Sequence, residues 1–79
     1  MRVALIGYGA MGKLIANLLK EQGDEVAVII DEKDADATAE ELSAKLKGVD
    51  AVIDFSLAEA VLRNVEACMI ANVPLVEGT

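Results

Sequence analysis

Histidine is absent from this 79-residue chain, and cysteine occurs once, as Cys68. The first absence removes the commonest general base and the commonest zinc ligand. The second excludes an internal disulfide and a cysteine-rich metal site, and it fits a reducing, cytoplasmic compartment. No apolar run approaches the roughly 18 residues of a membrane span, and the short run after Met1 is not a signal peptide. Basic residues are scarce: seven stand against fourteen acidic ones, a net charge of −7. That balance argues against nucleic acid or a membrane surface as partner. Linkers and low-complexity tracts are also missing.

What remains is the composition of one small packed domain, 54% apolar and 27% charged. A chain of this length buries only about 60% of its unfolded surface. The charge is uneven. In residues 1–30, Arg2, Lys13 and Lys20 balance Glu21, Asp24 and Glu25. Between residues 31 and 41, six acids face Lys33 alone. An anionic ligand therefore belongs with the neutral first third of the chain.

Short β-rich runs alternate with helical patterns. Arg2–Ile6, Glu25–Ile30, Ala51–Phe55 and Val73–Val76 are continuous apolar stretches of strand length, the pattern of strands buried on both faces in a parallel sheet. Met11, Leu14, Ile15, Leu18 and Leu19 follow the spacing of one buried helix face, and Gly23 stands where that helix stops. Thr38 with Glu41 has the capping-box spacing for a second helix, continued by Leu42 and Leu46 up to Gly48. Ser56 with Glu59 repeats it for a third, carrying Val61, Val65, Cys68 and Met69. The order β-α-β-α-β-α-β requires parallel strands. The predicted fold is an α/β, Rossmann-like half in which four strands run in the order 3-2-1-4, joined by three crossover helices.

The first strand runs into Gly7-Tyr8-Gly9-Ala10-Met11-Gly12, a G-x-G-x-x-G. Gly7 turns the chain out of the strand, Gly9 lets a pyrophosphate approach the backbone, and Gly12 lets the helix pack close to the sheet. The free N–H groups at the helix start then form an anion site. Residues 7–13 also satisfy G-x-x-x-x-G-K, but a nucleoside triphosphatase needs Ser or Thr next, and Leu14 stands there. Lys13 is thus a solvated helix residue or at most a distant phosphate partner. Asp31, 19 residues beyond Gly12 at the end of the second strand, can accept hydrogen bonds from both hydroxyls of an adenosine ribose. Its charge and that of Glu32 favour NAD(H), while Lys33 leaves NADP(H) admissible.

Other polar residues read more plainly. Asp54 is a turn residue satisfying nearby N–H groups, and Ser56 is a helix cap. A carboxylate–serine pair without histidine is a poor catalytic candidate. Cys68 is an inert core thiol. Tyr8 either packs on a cofactor or shields the strand edge. No residue is assigned a catalytic role, and no metal site is expected.

GYGAMGK at 7–13, DFS at 54–56 and VPLVEGT at 73–79, in that order, resemble the 4-hydroxy-tetrahydrodipicolinate (dihydrodipicolinate) reductase family of bacterial lysine and diaminopimelate biosynthesis. The resemblance spans the whole chain but only the N-terminal part of such an enzyme. It implies that the loop from Gly7 to Gly12 holds the pyrophosphate of the nicotinamide dinucleotide and Asp31 its adenosine ribose. It further implies that Phe55 and Ser56 lie beside the nicotinamide ribose, and that Gly78 and Thr79 begin a Gly-Thr-Thr-Gly segment near the nicotinamide. Many members carry a basic residue before the methionine, where this chain has Ala10, which weakens the case for NADP. The family's histidine pair, lysine and Ser-Gly-Thr segment belong to a C-terminal substrate domain that residues 1–79 do not include.

Residues 1–79 therefore read as a truncated dinucleotide-binding domain of a reductase, binding nucleotide without catalysing the reaction unaided. The alternatives are a non-catalytic, nucleotide-sensing module and a half-Rossmann fragment made for folding studies. An edge position for the fourth strand, with apolar faces beside it, predicts a homo-oligomer, although Pro74 blunts pairing there.

Overall fold

The computed structural model describes residues 1–78, and Thr79 lies outside the described residues. Four parallel strands, β1 (Arg2–Ile6), β2 (Glu25–Ile30), β3 (Ala51–Asp54) and β4 (Leu75–Glu77), form one sheet. They are connected by α1 (Ala10–Glu21), α2 (Ala39–Leu46) and α3 (Val61–Ala71), with 3-10 turns at Glu32–Asp34 and Ala58–Ala60. The α/β half with its parallel strands and three helices is thus as the sequence predicts.

The neighbours within the sheet are not. The order is β2-β1-β3-β4, so β3 pairs with β1 and β4 pairs with β3. The predicted order placed β3 against β2 and β4 against β1. The reason lies in where the helices dock. Ile15, Ala16 and Leu19 of α1 pack with Val3 and Leu5 on one face of the sheet. Ala39, Leu42 and Leu46 of α2, with Ala67 and Cys68 of α3, pack with Ala4, Ile6, Ile30 and Val52 on the other. Crossovers between parallel strands follow a right-handed rule, under which a helix on the opposite face carries the chain in the opposite direction. The α2 crossover therefore returns the chain past β1, and α3, on the same face as α2, continues outward to β4.

Burial follows this order. Val3 to Ile6 of central β1 are buried, whereas β2, now an edge strand, is half-buried from Val26 to Val28 and exposes Ile29. Continuous apolarity marked both strands alike, but only β1 is covered on both sides.

The helix ends were partly legible. Thr38 Oγ1 accepts from the Glu41 N–H at 3.1 Å and Glu41 Oε1 accepts from the Thr38 N–H at 2.9 Å, completing the predicted capping box. At α3 no such box forms: the helix starts after the 3-10 turn, Ala60 precedes it, and no side chain caps it. Two helices also face differently from the prediction. In α1, Met11, Leu14 and Leu18 are 54%, 53% and 44% exposed, and the small residues Gly12 and Ala16 meet the sheet instead. In α3 the buried residues are Asn64, Ala67 and Cys68, while Met69 is exposed. Both helices lie close to the sheet on small side chains.

Candidate functional site

The strand order reverses between β1 and β3, and open α/β sheets bind ligands beyond the carboxyl ends of their strands at such a point. A cleft of about 840 Å³ opens there. Its walls are the turns that follow three different strands: Gly7–Gly9 after β1, Asp31–Lys33 after β2, and Phe55–Leu57 after β3. Glu59, Ala60 and Arg63 complete the far side.

The glycine loop is fixed by backbone bonds. The Gly7 N–H donates to the Ile30 carbonyl at 2.7 Å, and the Phe55 N–H donates to the Ile6 carbonyl at 2.8 Å, so the turn after β1 is tied to the end of β2 and the turn after β3 to the end of β1. Gly7 has φ +92, and a Cβ there would lie 2.9 Å from the Phe55 carbonyl carbon. Only glycine suits both the conformation and the space. A Cβ on Gly12 would lie 2.5 Å from the Gly7 carbonyl oxygen, as close helix–strand packing requires. Gly9 is the opposite case: a Cβ there would meet nothing within 4 Å. Neither its conformation nor its protein neighbours demand glycine, so the open volume over its backbone is room for a ligand.

Beyond Gly9, α1 begins at Ala10 with no side-chain cap and no acidic residue in its first turn. The first amides of a helix have no partner within it, and they carry the positive end of its dipole. Lys13 lies 5.8 Å over the Tyr8 ring, a cation–π position. Tyr8 itself lines the cleft and packs against the α1-side core.

Asp31 heads the 3-10 turn. Its Oδ1 accepts from the Lys33 N–H at 3.1 Å, and Asp34 Oδ2 accepts from the Asp31 N–H at 3.3 Å. The Lys45 ammonium hydrogen-bonds Asp34 and holds its carboxyl below the ordinary carboxylate range. Lys33 Nζ stands 4.0 Å from Asp31 Oδ2 and is well solvated.

The β3 side holds a polar cluster that sequence reasoning missed. Asp54 is fully buried; its Oδ1 accepts from the Ser56 N–H at 2.8 Å and from Ser56 Oγ at 2.6 Å. Asp54 is therefore the predicted turn residue, but Ser56 is not a helix cap: its hydroxyl serves Asp54. Asn64, fully buried on α3, donates to Asp54 Oδ2 at 3.1 Å and to Ser56 Oγ at 2.9 Å. Arg63 binds the Asn64 amide oxygen and reaches the loop after Asp34. An Asn on the otherwise apolar buried arc of α3, beside Ala67 and Cys68, was the available signal. Cys68 lies nearby, its thiol pushed up to about 11 by burial and then by the charges of Asp54 and Glu77, and is an inert core group.

Of the residues singled out in the sequence, Gly7, Tyr8, Gly9, Asp31, Phe55 and Ser56 line one cleft. Ala10, Met11 and Gly12 form the first turn of α1 behind the loop, and the Met11 side chain points to solvent. Gly78 sits behind Phe55, where a Cβ would lie 2.5 Å from the ring, and its N–H donates to the Asp54 carbonyl at 2.8 Å. Among the described residues, no group of three acidic, cysteine or histidine side chains is placed to hold a metal. No helix among them is long and apolar enough to cross a membrane.

Comparison with known proteins adds a family. The family model described as dihydrodipicolinate reductase, N-terminus, matches residues 1–79. A 4-hydroxy-tetrahydrodipicolinate reductase from Christiangramia forsetii is 29% identical over 79 residues, covering 100% of this chain and 31% of that protein. The enzyme of the same name from Staphylococcus carnosus is 41% identical over 66 residues, 78% of this chain and 27% of that protein. The Staphylococcus aureus (strain Newman) enzyme is 39% identical over 59 residues, 71% and 25% respectively. This chain thus spans less than a third of the length of these relatives. A crystal structure of a protein from Burkholderia pseudomallei superposes with TM-score 0.76 at 22% identity, covering 98% of this chain and 46% of that one, which is a likeness of fold.

Proposed function

This chain belongs to the dihydrodipicolinate reductase N-terminal family, and from that membership we propose that its cleft binds a nicotinamide dinucleotide as the cofactor-holding part of a reductase. The observation that carries the proposal is the open volume over Gly9, at the uncapped start of α1, facing a cleft whose opposite wall presents Asp31. Gly7 to Gly12 would hold the pyrophosphate, Asp31 the adenosine ribose, and Phe55 and Ser56 the nicotinamide ribose, with Gly78 and Thr79 toward the nicotinamide. The nicotinamide would supply the hydride, and the protein supplies binding and orientation. The relatives' name, 4-hydroxy-tetrahydrodipicolinate reductase, supports 4-hydroxy-tetrahydrodipicolinate as the whole enzyme's substrate. Residues 1–79 contain no histidine to donate a proton, so alone they bind nucleotide without catalysing the transfer.

NAD(H) is the favoured cofactor, because Asp31 and Glu32 repel a 2′-phosphate; Lys33, exposed beside them, admits NADP(H) at lower affinity. The compartment is cytoplasmic, consistent with a free buried thiol. The partner surface is a second copy of the chain, meeting the β4 edge or the exposed apolar residues of α1 and α3.

Calorimetric titration of the chain with NADH and NADPH tests the cofactor reading. Wild type binds NADH, and Gly9→Val, whose Cβ meets no protein atom within 4 Å and whose side chain enters the space for the pyrophosphate, keeps its thermal transition while losing most of that binding. Equal NADH affinity in the two proteins removes the loop assignment.

A further inference from the structure

Two walls of the cleft are tied together by side chains that lie outside the loop and the ribose carboxylate. Asn64 uses both amide hydrogens on the β3 turn, at Asp54 and Ser56, and its amide oxygen accepts from Arg63 Nε and Nη2 at 3.2 and 3.1 Å. Arg63 Nη1 donates to the carbonyl oxygens of Asp34, Ala35 and Ala37 at 3.0, 2.8 and 3.2 Å. A continuous chain of hydrogen bonds thus runs from the turn after β3, through α3, to the loop that follows Asp31. Every oxygen named for Arg63 is uncharged, so what the guanidinium supplies here is its planar fork of donors. Arg63 also lines the cleft itself.

We propose that Arg63, oriented by Asn64, is a positioning residue that sets the span between the Asp31 wall and the Phe55–Ser56 wall of the nucleotide cleft, and so determines affinity for a ligand that must touch both. The proposal rests on the nucleotide reading above. A dinucleotide gripped at both ends gains because its second contact is intramolecular, and that gain depends on a fixed spacing. A mononucleotide such as AMP reaches the Asp31 wall and the glycine loop only. The Asp31 turn keeps its own bonds, Lys33 N–H to Asp31 and Asp31 N–H to Asp34, so that wall survives loss of the strap.

The test is the ratio of AMP to NADH dissociation constants, measured by calorimetry on wild type, Arg63→Met and Arg63→Lys, each checked for a cooperative melt. In Arg63→Met, NADH binding weakens roughly tenfold (about 1.4 kcal/mol) while AMP binding stays within about twofold. Arg63→Lys keeps the charge and the aliphatic stem but cannot serve Asn64 and three carbonyls together, so the ratio falls there as well; it carries the test alone if Arg63→Met does not fold. Equal weakening of both ligands marks a merely structural role and overturns the proposal, as does a wild-type ratio in Arg63→Lys, which makes charge alone sufficient. A wild type that binds neither ligand overturns the nucleotide reading and the strap with it, whereas a wild type that binds both with an unchanged ratio in the variants overturns the strap only.

Discussion

Asp31 owes its position to its own turn, with its side chain bonded to the Lys33 N–H and its backbone to Asp34. Serine heads such turns about as well as aspartate, so Asp31→Ser removes the charge and spares the geometry. NADH binding then weakens by roughly 1–3 kcal/mol, the scale of charged hydrogen bonds, and the preference for NADH over NADPH narrows; calorimetry that finds the preference unchanged makes Asp31 a turn residue and nothing more. At this scale the sequence was readable wherever spacing alone defines a role. Gly7, Gly9, Gly12 and Asp31 are such positions, since each is fixed by its distance from the end of a strand. Arg63 and Asn64 were not readable, because Arg63's backbone partners lie 26 to 29 residues away and only the packing of α3 brings them together. Ser56 misled for a local reason: its hydroxyl found a buried carboxylate two residues away before it could meet a helix amide.

Helix α2 shows how much of an element's stability sits at its first turn. Thr38→Ala removes the acceptor for the Glu41 N–H and costs about 1 kcal/mol, read by chemical denaturation. The reciprocal bond gives the same turn a pH signature. The Thr38 backbone N–H, and after it the hydroxyl, hold the Glu41 carboxyl below its ordinary value of 4.5. A carboxyl depressed in the folded state stabilises fully above its unfolded value and loses that contribution as pH falls through its folded value. Wild type is therefore more stable than Glu41→Gln above pH 4.5, and the difference shrinks as acid is added; a difference independent of pH between 6 and 3 contradicts the capping role. Element identities, and the start of α2, were legible from such local chemistry. The docking face was not: the periodicity of α1 and α3 reports an apolar arc, but Gly12, Ala16 and Ala67 let those helices approach the sheet on small residues and leave Met11, Leu14 and Met69 outside. Strand order failed for the same reason, because nothing local in α2 says on which side of the sheet it lies.

For the whole molecule, that order leaves two edges, β2 and β4, each with an exposed apolar residue, Ile29 and Val76. Met11, Leu14 and Leu18 on α1 and Leu62, Met69 and Ile70 on α3 add further apolar surface. A domain of this length with so much uncovered apolar surface gains from association. Light scattering at high micromolar concentration reads a mass of at least two chains, and a well-folded monomer there removes the proposal. The three walls of the cleft have another consequence, one of mass action. They follow β1, β2 and β3; the turn after β1 is bonded to the end of β2 and the turn after β3 to the end of β1, so no partly unfolded form that loses any of these strands retains the cleft. A ligand held there binds only the intact sheet, and its binding energy is added to the stability of the entire chain. At a hundredfold excess over its dissociation constant, NADH stabilises the fold by about 2.7 kcal/mol. With roughly 4–8 °C per kcal/mol for a domain of this size, the melting midpoint rises by more than about 10 °C, and Gly9→Val melts at the same temperature with or without NADH.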